Sequence, residues 1–376
     1  MRVVHVESGR WLYGGGAQVR DLVAGLQAAG VDNVLVCAEG GRLAALPAAA
    51  LGGARSVPLP MRGDLDLALA ARVRRALAEL APDLVHVHSR RGAELAGGIA
   101  AAAAGVPAVL TRRVQSREPA AWLRLKCRPY RAVVAISSAV EAELARAGVA
   151  PERIVRIPSA VDTERFRPDP DARSRLLEVA RAPADALLVG VVAQLIERKG
   201  HAALFACLPE LARREPRVRV LCFGQGPLAA RLEAAAQASG EGARVAWLGL
   251  RDDLPALLPG LDLLVHPAER EGLGVAVLEA MSAGVAVVAC AAGGVVDAIE
   301  DGVDGVLVPP GDRDALGRAL ARTLADRELR ARLGRAARST AERRFSAAAL
   351  AARHVELYER MLERRSIGRL THGRAV

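Results

Sequence analysis

The sequence predicts an α/β protein that contains two doubly wound parallel sheets. Short apolar runs alternate with helical segments along the chain, which is typical of buried parallel strands joined by crossover helices. The length of 376 residues exceeds what one hydrophobic core usually serves, so we expect two domains. Apolar residues make up 52% of the chain but aromatic residues only 3%, which favours small-residue helices packed against aliphatic strands.

Apolar runs in the first half predict the strands RVVHV, NVLVCA, LVHVH, AVLT, AVVAIS and RIVRIP. Between them, the spacing predicts helices at 17–30, 66–81, 91–105 and 138–148. Glycines stand where three of these helices should end, namely Gly30, Gly105 and Gly148. Strand and helix therefore alternate as in a doubly wound domain.

The second half repeats this alternation, with strands predicted at LLVGVVA, VRVLCFG, VAWLG, LDLLVHP, VAVVAC and GVLVPP. A segment rich in proline and charge separates the halves, so we predict domains at 1–165 and 187–346 joined by a linker at 166–186. The last segment, 347–376, begins with an amphipathic helix at 347–366, which we expect to pack back on the first domain. Its apolar residues are Leu350, Val355, Leu357, Tyr358 and Met361. Two similar halves imply a cleft between them.

The net charge of +10 comes almost entirely from arginine, since Lys126 and Lys199 are the only lysines. Such a field favours anionic partners, among them phosphorylated substrates and acidic lipid surfaces. We expect no nucleic acid partner, because no binding module or basic run with interleaved aromatics dominates the sequence.

The five cysteines are widely spaced and mostly lie in apolar runs, without a C-x-x-C pair. We therefore interpret them as reduced core thiols; they are Cys37, Cys127, Cys207, Cys222 and Cys290. The N-terminal segment lacks the regions of a signal peptide. These features predict a cytoplasmic protein, with peripheral contact to the inner face of the cytoplasmic membrane left open.

The segment 266–290 predicts a phosphate site, because a strand ends there in a glycine loop that opens a helix near Gly274. A helix start presents unpaired N–H groups and a positive dipole end, so we expect a diphosphate to lie on Gly272, Leu273, Gly274 and Val275. Glu271 precedes the loop and Glu279 follows eight residues later in the helix. Carboxylates suit the paired hydroxyls of a sugar or ribose. A solvated loop charge and a helix-face charge remain the simpler alternatives.

In a second segment, VGVVAQLIERKGH at 189–201, Arg198 and Lys199 directly precede Gly200, where a helix is predicted to begin. Two cations at this position would neutralise a leaving diphosphate. An ordinary exposed basic pair is the alternative.

In the first half, Gly14, Gly15 and Gly16 follow a strand and precede a helix, so their backbone can approach an acceptor or a phosphate closely. His86 and His88 alternate along the strand LVHVH, and therefore lie on one face near its carboxyl end. A packed, satisfied histidine is the simpler interpretation of His86, whereas His88 stays open between packing and acceptor binding.

The stretch from Arg112 to Arg131, which includes Arg113, is strongly basic and interleaved with apolar residues such as Trp122 and Leu125. This composition fits an interfacial helix or an anionic acceptor site. A solvated charged face explains it as well. If the stretch is functional, it predicts a phosphorylated or lipid-linked glycan acceptor.

The segment REGLGVAVLEAMSAGVAVVA, with Glu271 and Glu279, resembles the E-x7-E signature of the retaining glycosyltransferases of family 4. Further segments resemble this family across nearly the whole chain: GGGAQ at 14–18, AISSAV at 135–140, IPSAVDTERF at 157–166 and GGVVDAIEDGVDGVLVPPGD at 293–312. The resemblance implies the GT-B architecture, in which two Rossmann-like domains face each other across a cleft. It also implies a nucleotide-sugar substrate, no cofactor and no bound metal.

By this resemblance the C-terminal domain binds the donor, with Glu279 at the ribose, Glu271 at the transferred sugar and Lys199 at the diphosphate. Arg198 would assist Lys199 in catalysis. The N-terminal domain would bind the acceptor, for which the candidates are Gly14, Gly15, Gly16, His88, Arg112 and Arg113. The family setting indicates bacterial cell-envelope polysaccharide or lipopolysaccharide synthesis.

The chain departs from the family pattern at several positions. Gln194 stands where the family usually has an arginine five residues before the lysine, so we expect it to contact the donor as an uncharged hydrogen-bond donor. Arg113 stands where many members have a histidine, so a role that depends on imidazole does not carry over. Ser159 and Ala160 replace the usual Asn-Gly pair.

Two other functions remain open from the sequence. A nucleotide-sugar epimerase of the same architecture would use the same diphosphate site without an acceptor. A non-catalytic protein that binds a nucleotide-sugar or a membrane would tolerate the Gln194 and Arg113 departures. A nicotinamide oxidoreductase is disfavoured, because no G-x-G-x-x-G opens the first strand-to-helix turn.

Overall fold

The computed structural model describes residues 1–12, 14–63, 66–88, 92–116 and 118–372. The chain forms two compact units. The first contains Met1–Ala160 and the C-terminal segment from Ala347 onward, and the second contains Val161–Ser346.

The first unit contains a seven-stranded parallel sheet with the order β3-β2-β1-β4-β5-β6-β7. Its strands are β1 Arg2–Glu7, β2 Asp32–Ala38, β3 Arg55–Leu59, β4 Leu84–Val87, β5 Ala108–Arg112, β6 Ala132–Ala135 and β7 Ile154–Arg156. All six predicted strands of this half are present. The unpredicted strand, β3, is a half-exposed edge strand that carries Pro58; proline is tolerated at sheet edges but weakens a strand signal in the sequence.

The helices that precede the second unit are α1 Gly15–Ala28, α2 Leu69–Leu80, α3 Ala93–Ala103, α4 Ala120–Cys127 and α5 Ser138–Arg146. Gly30, Gly105 and Gly148 have positive φ angles just beyond α1, α3 and α5, as the predicted helix ends require. Ser137 caps α5 by accepting the Val140 N–H at 3.3 Å.

The second unit contains a six-stranded parallel sheet with the order β10-β9-β8-β11-β12-β13. Its strands are β8 Leu187–Val192, β9 Val218–Phe223, β10 Val245–Gly249, β11 Leu263–His266, β12 Val287–Cys290 and β13 Val306–Val308. They coincide with the six predicted runs. The fold class predicted from the sequence is thus confirmed.

The helices of the second unit are α6 Ala172–Ala180, α7 His201–Arg214, α8 Ala229–Ala238, α9 Leu254–Leu257, α10 Val275–Ser282, α11 Val295–Ala298, α12 Arg313–Ala325 and α13 Arg327–Phe345. Short 3-10 turns lie at Ala48–Leu51, Pro151–Arg153, Glu197–Lys199, Gly242–Arg244 and Leu258–Gly260.

Most of the predicted linker, 166–186, is packed structure of the second unit rather than an open connection. Helix α6 lies within it and buries Ala172 and Leu176. Arg173 donates to the Asp262 carboxylate at 2.6 Å. The prolines that indicated a linker lie in short turns on either side of this docked helix, whereas several of the charged residues, Arg173 among them, lie on the helix itself.

The last helix, α14 Ala347–His372, belongs to the first unit. Its predicted apolar residues pack with α1 and with the central strands, and Leu350, Leu357, Tyr358 and Met361 are buried there. All five cysteines are unpaired and buried, as predicted. Within the described part of the chain, no helix is both long and apolar enough to cross a bilayer.

Candidate functional site

The strand order of the second unit reverses between β8 and β11, which are neighbours although the chain visits β9 and β10 between them. In doubly wound sheets such a switch point opens a crevice at the carboxyl ends of the strands, where ligands bind. The loop after β8 carries Gln194, Arg198 and Lys199, and the loop after β11 carries residues 267–274. The fold therefore brings together the two segments that the sequence singled out for the donor.

Lys199 and Glu271 form an ion pair across this crevice, from Nζ to Oε2. The same Oε2 atom lies 3.2 Å from Nε2 of the buried His266. The other carboxylate oxygen, Oε1, accepts the Gly272 N–H at 3.1 Å. The Glu271 carboxylate is thus held by a cation and a backbone amide, with a buried imidazole beside it.

Electrostatics keep Glu271 ionised. Burial is the largest single effect on its pKa and would raise it, but the interaction with His266 and the charge of Lys199 together outweigh burial. The net result is a pKa of Glu271 well below the ordinary value. For His266, burial lowers the pKa despite the neighbouring Glu271, so its imidazole is neutral.

Backbone contacts fix the two loops against each other. The Arg198 carbonyl accepts the Glu269 N–H at 3.0 Å, and an Arg198 Nη donates to the Arg270 carbonyl at 3.2 Å. A β-carbon at Gly200 would lie 1.9 Å from the Pro267 carbonyl oxygen. One at Gly293 would lie 1.9 Å from the Glu271 carbonyl oxygen. Only glycine permits these approaches, and both glycines also have positive φ angles, +72° and +58°.

Helix α10 begins as predicted, with Gly274 as its N-cap in the left-handed region at φ 89°. Gly272, Leu273 and Gly274 are buried and Val275 is half-buried. Glu279 is half-buried on this helix, beside the buried Leu278 and Ala280. Gln194 is exposed in the loop after β8.

Two buried histidines of this region were not predicted. His266 ends β11, and both ring nitrogens of His201, at the start of α7, lack a hydrogen-bond partner among the described residues. Burial lowers the pKa of His201 to about 4. A histidine at the end of a predicted strand is weak sequence evidence for a functional residue. His266 was therefore not predicted, whereas the spacing of the two glutamates was.

The first unit contains a buried histidine cluster. His5 and His86 are register partners in β1 and β4. His86 hydrogen-bonds the Tyr358 hydroxyl at 2.6 Å and the Thr111 hydroxyl at 2.7 Å. His86 is therefore a satisfied core residue, which was the simpler of its two interpretations. His5 was not predicted.

His88 and Arg113 meet in this cluster. An Arg113 Nη lies 3.3 Å from Nδ1 of His88, and His88 Nε2 lies 2.9 Å from Nδ1 of His5. The Arg113 side chain also passes Gly15, whose β-carbon, if present, would lie 3.8 Å from the Arg113 Cδ. Three predicted acceptor residues thus lie together. At Gly16 a β-carbon would lie 2.4 Å from the Trp11 carbonyl oxygen, so glycine is needed there for packing.

One ring nitrogen from each of His5, His86 and His88 lies within 4.8 Å of the other two, a spacing that matches a metal site. Each of these rings already uses its nitrogens in hydrogen bonds to protein groups. We therefore assign no metal to this cluster.

Arg112 is a correction to the predicted acceptor residues. Its side chain is 1% exposed, and its guanidinium pairs with the equally buried Glu94. Lys126 binds the other Glu94 oxygen at 2.6 Å and Glu118 at 2.5 Å. These two cations of the predicted basic stretch therefore belong to a buried ion network, and Arg112 is not retained as an acceptor ligand.

The rest of that stretch includes an exposed helix face. On α4, Trp122 and Leu125 are 44% and 48% exposed. Arg124 and Arg128 are exposed beside them, while Leu123 and Cys127 pack inward.

Comparison with known proteins decides the family. The model described as Glycosyltransferase Family 4 matches residues 13–165, and the model described as Glycosyl transferases group 1 matches residues 173–340. The D-inositol 3-phosphate glycosyltransferase of Salinispora arenicola is 32% identical, over 77% of this chain and 71% of that protein. The chain belongs to glycosyltransferase family 4.

Two further proteins match different shares of this family 4 chain. The GDP-mannose-dependent alpha-(1-6)-phosphatidylinositol monomannoside mannosyltransferase of Mycolicibacterium smegmatis is 37% identical over 191 residues. That match covers 48% of this chain and 50% of that protein, so this chain spans about half the length of the mycobacterial relatives that it matches. The crystal structure of Anabaena HepE in complex with UDP has a TM-score of 0.83 at 23% identity, over 96% of this chain and 100% of that chain. This likeness shows the fold.

Proposed function

We propose that this protein transfers a sugar from a nucleotide-sugar, held by its second unit, to a hydroxyl group of a glycan or lipid-linked acceptor. The observation that carries the proposal is the pairing of Lys199 with Glu271 at the switch point of the sheet, directly before the helix that bears Glu279. This arrangement offers positive charge, helix-start amides and carboxylates together. A nucleotide-sugar presents the complementary phosphates and hydroxyls.

In this proposal the donor diphosphate replaces the Glu271 carboxylate as the ion-pair partner of Lys199. Lys199, Arg198 and the amides of residues 272–275 then stabilise the negative charge that develops on the leaving phosphate. Released from the lysine, the Glu271 carboxylate accepts hydrogen bonds from the transferred sugar, while the Gly272 N–H still donates to it. Glu279 binds the ribose hydroxyls. The protein supplies the required positive charge itself, so we propose that the reaction needs no metal.

We propose that the transfer retains the anomeric configuration. The bond between the sugar C1 and the phosphate oxygen breaks, and the acceptor oxygen bonds to C1 on the same face. The acceptor proton passes to the leaving phosphate oxygen. The family membership of the chain and its Glu271 and Glu279 spacing support this proposal.

The test is a turnover assay in EDTA with nucleotide-sugars of uridine, guanosine, adenosine and cytidine, each with and without candidate acceptors. The expected result is release of one nucleoside diphosphate that depends on the acceptor, with a product whose anomeric proton coupling by NMR matches that of the donor. Consumption of the donor without an acceptor, giving an epimerised sugar, would support the epimerase instead. Binding without turnover across the panel would support a non-catalytic role.

We further propose that the protein works on the cytoplasmic side of a membrane and contacts anionic lipid through α4, as enzymes of cell-envelope glycan or lipopolysaccharide synthesis would require. An exposed tryptophan and leucine beside two exposed arginines suit the boundary between lipid head groups and acyl chains.

Co-sedimentation with phosphatidylglycerol vesicles should be lost in the double variant that combines Trp122→Ser and Leu125→Ser. Substitution of the exposed Leu250 of the second unit by serine is the control. Equal sedimentation of both variants would refute the contact.

A further inference from the structure

We propose that Arg113 binds an anionic group of the acceptor, a phosphate or a similar oxyanion, and that His88, His5 and Asn33 orient its guanidinium for this task. The assignment of the anion to the acceptor rests on the sugar transfer proposed above. The existence of the anion site does not, and the experiment below separates the two.

A hydrogen-bond chain inside the first unit has a fixed direction. The Asn33 side-chain amide nitrogen donates to the Val31 carbonyl at 2.7 Å and lies 3.2 Å from Gln27 Oε1. The Asn33 carbonyl oxygen must therefore be the atom that faces His5 Nε2, at 2.9 Å. A carbonyl oxygen only accepts, so His5 carries its proton on Nε2.

The tautomers of both histidines follow from this one fixed acceptor. With Nε2 protonated, a neutral His5 presents a bare Nδ1, which accepts from His88 Nε2 at 2.9 Å. His88 then presents a bare Nδ1, and Arg113, which can only donate, occupies it from an Nη at 3.3 Å. Each hydrogen bond from Asn33 to Arg113 thus has a defined donor and acceptor. This series of hydrogen bonds positions the Arg113 guanidinium.

The imidazoles of His5 and His88 are both neutral. Burial lowers the pKa of His5 to about 4 and that of His88 well below its ordinary value. The other titratable groups that influence the chain are Glu7, His86, His354 and Tyr358. His86 and His354 are neutral for the same reason.

The cation of this region is therefore Arg113. Burial lowers its pKa to about 10, although the Glu7 carboxylate opposes this effect, so the guanidinium is charged at neutral pH. Glu7 uses one carboxylate oxygen, Oε1, to accept the Gly9 N–H at 2.6 Å.

The guanidinium retains donor capacity. Arg113 Nε is buried and has no hydrogen-bond partner within the described residues. A buried N–H without a partner is destabilising, and a phosphate whose two oxygens accept from Nε and a neighbouring Nη together would relieve this. The neighbouring Arg112 differs, because a buried glutamate already pairs with it. Arg113 also passes Gly15, where an added β-carbon would contact only the Arg113 Cδ, at 3.8 Å.

The experiment uses the full chain and inorganic phosphate, followed by the side-chain nitrogen resonances of the histidines in NMR. In the wild type without phosphate, we expect His5 and His88 to be protonated on Nε2 only, between pH 6.5 and 8. Added phosphate should shift His88 Nδ1, whereas sodium chloride of the same ionic strength should not. The midpoint of this shift gives the Kd.

Variants make the assignment specific. Arg113→Gln should weaken the phosphate Kd about tenfold, the scale of one charged hydrogen-bond pair. Asn33→Leu, which leaves Arg113 in place but removes the fixed acceptor, should change the His88 tautomer and weaken phosphate binding severalfold. Arg74→Gln, an exposed arginine of α2, is the matched control and should bind phosphate like the wild type. Thermal unfolding of each variant checks that it is folded.

Two phosphate esters separate the sources of the anion. Glucose 1-phosphate that competes at His88 identifies a soluble sugar phosphate, and phosphatidylglycerol vesicles that compete identify a lipid head group. A His88 resonance that phosphate does not move, or moves equally in Arg113→Gln, would overturn the anion site. If a nucleotide-sugar still bound the second unit under those conditions, the proposed transfer would remain and only the anion site would fall.

Discussion

Lys199 and Glu271 are 72 residues apart in the chain, yet they form an ion pair at the carboxyl ends of two neighbouring strands. Each side chain is little exposed, 13% for the lysine and 12% for the glutamate. The two charges compensate each other within this largely desolvated pair, so an anionic ligand that binds Lys199 must replace the Glu271 carboxylate as its partner.

Replacing the lysine should mainly slow the reaction. In Lys199→Ala we expect kcat to fall by about a hundredfold or more, the scale for loss of one well-placed donor to a developing negative charge. The donor KM should change much less, because the ribose contact remains. Steady-state kinetics measure both values. Arg231→Ala, which removes an exposed arginine on α8 that pairs with Glu197, is the control and should react like the wild type.

The close approach at Gly293 should be essential to the geometry of Glu271. Gly293→Ala places a β-carbon 1.9 Å from the Glu271 carbonyl oxygen, so the loop must move. Gly302→Ala is a matched control, because Gly302 also has a positive φ but has nothing within 4 Å of the added carbon. Both variants should lose about 1 kcal/mol of stability from backbone strain. Only Gly293→Ala should lose more and also bind donor weakly. Similar melting temperatures for the two would contradict this.

Acid should destabilise the first unit through its buried histidines. Burial lowers the pKa of His354 to about 3, from 6.5 in the unfolded chain. Below pH 6.5 the unfolded chain binds a proton that the folded chain refuses, so stability is present above pH 6.5 and is lost as the pH falls towards 3. Between pH 6.5 and 5, one such group removes about 2 kcal/mol.

His354→Leu tests this effect, since leucine cannot titrate. Urea unfolding at pH 6.5 and pH 5 should show a smaller loss of stability in the variant than in the wild type. The same substitution removes a buried Nε2 without a hydrogen-bond partner among the described residues. An unchanged pH dependence would show that the pKa of His354 is the same in the folded and the unfolded protein.

The buried network around Arg112 should contribute to stability rather than to acceptor affinity. Glu94→Gln leaves the charges of Arg112 and Lys126 buried without their shared carboxylate. Such a change costs about 3 to 5 kcal/mol. Glu141→Gln removes an exposed partner of Arg156 and should cost less than about 1 kcal/mol. Chemical denaturation measures both. An effect of Glu94→Gln on acceptor KM alone, without loss of stability, would restore a binding role for this network.

The sequence allowed the strands and the donor loops to be predicted because both leave local signals. Buried parallel strands appear as short apolar runs, and the glycines around Gly274 mark a strand-to-helix turn at a fixed distance from Glu271 and Glu279. Strand β3 was missed because its signal is weak, with Pro58 in a half-exposed edge strand.

What could not be predicted depends on contacts between distant segments. The sequence around Arg112 predicts an exposed cation, because nothing local indicates its partner. That partner, Glu94, lies on another element 18 residues earlier. The hydrogen-bond chain through His5 and His88 likewise joins β1 and β2 with the residues that follow β4 and β5. Local patterns identify which residues carry charge, but only the fold decides whether water or another side chain compensates that charge.

The most direct test of the central claim is calorimetric titration of nucleotide-sugars in EDTA into the wild type and into Glu279→Ala. Glu233→Ala, which alters an exposed glutamate of α8, is the control. The account predicts that one nucleotide class binds the wild type and the control equally and binds Glu279→Ala at least tenfold more weakly, the scale of a lost charged hydrogen bond to the ribose. Equal binding to all three proteins, or binding to none of them, would contradict a donor site on the second unit.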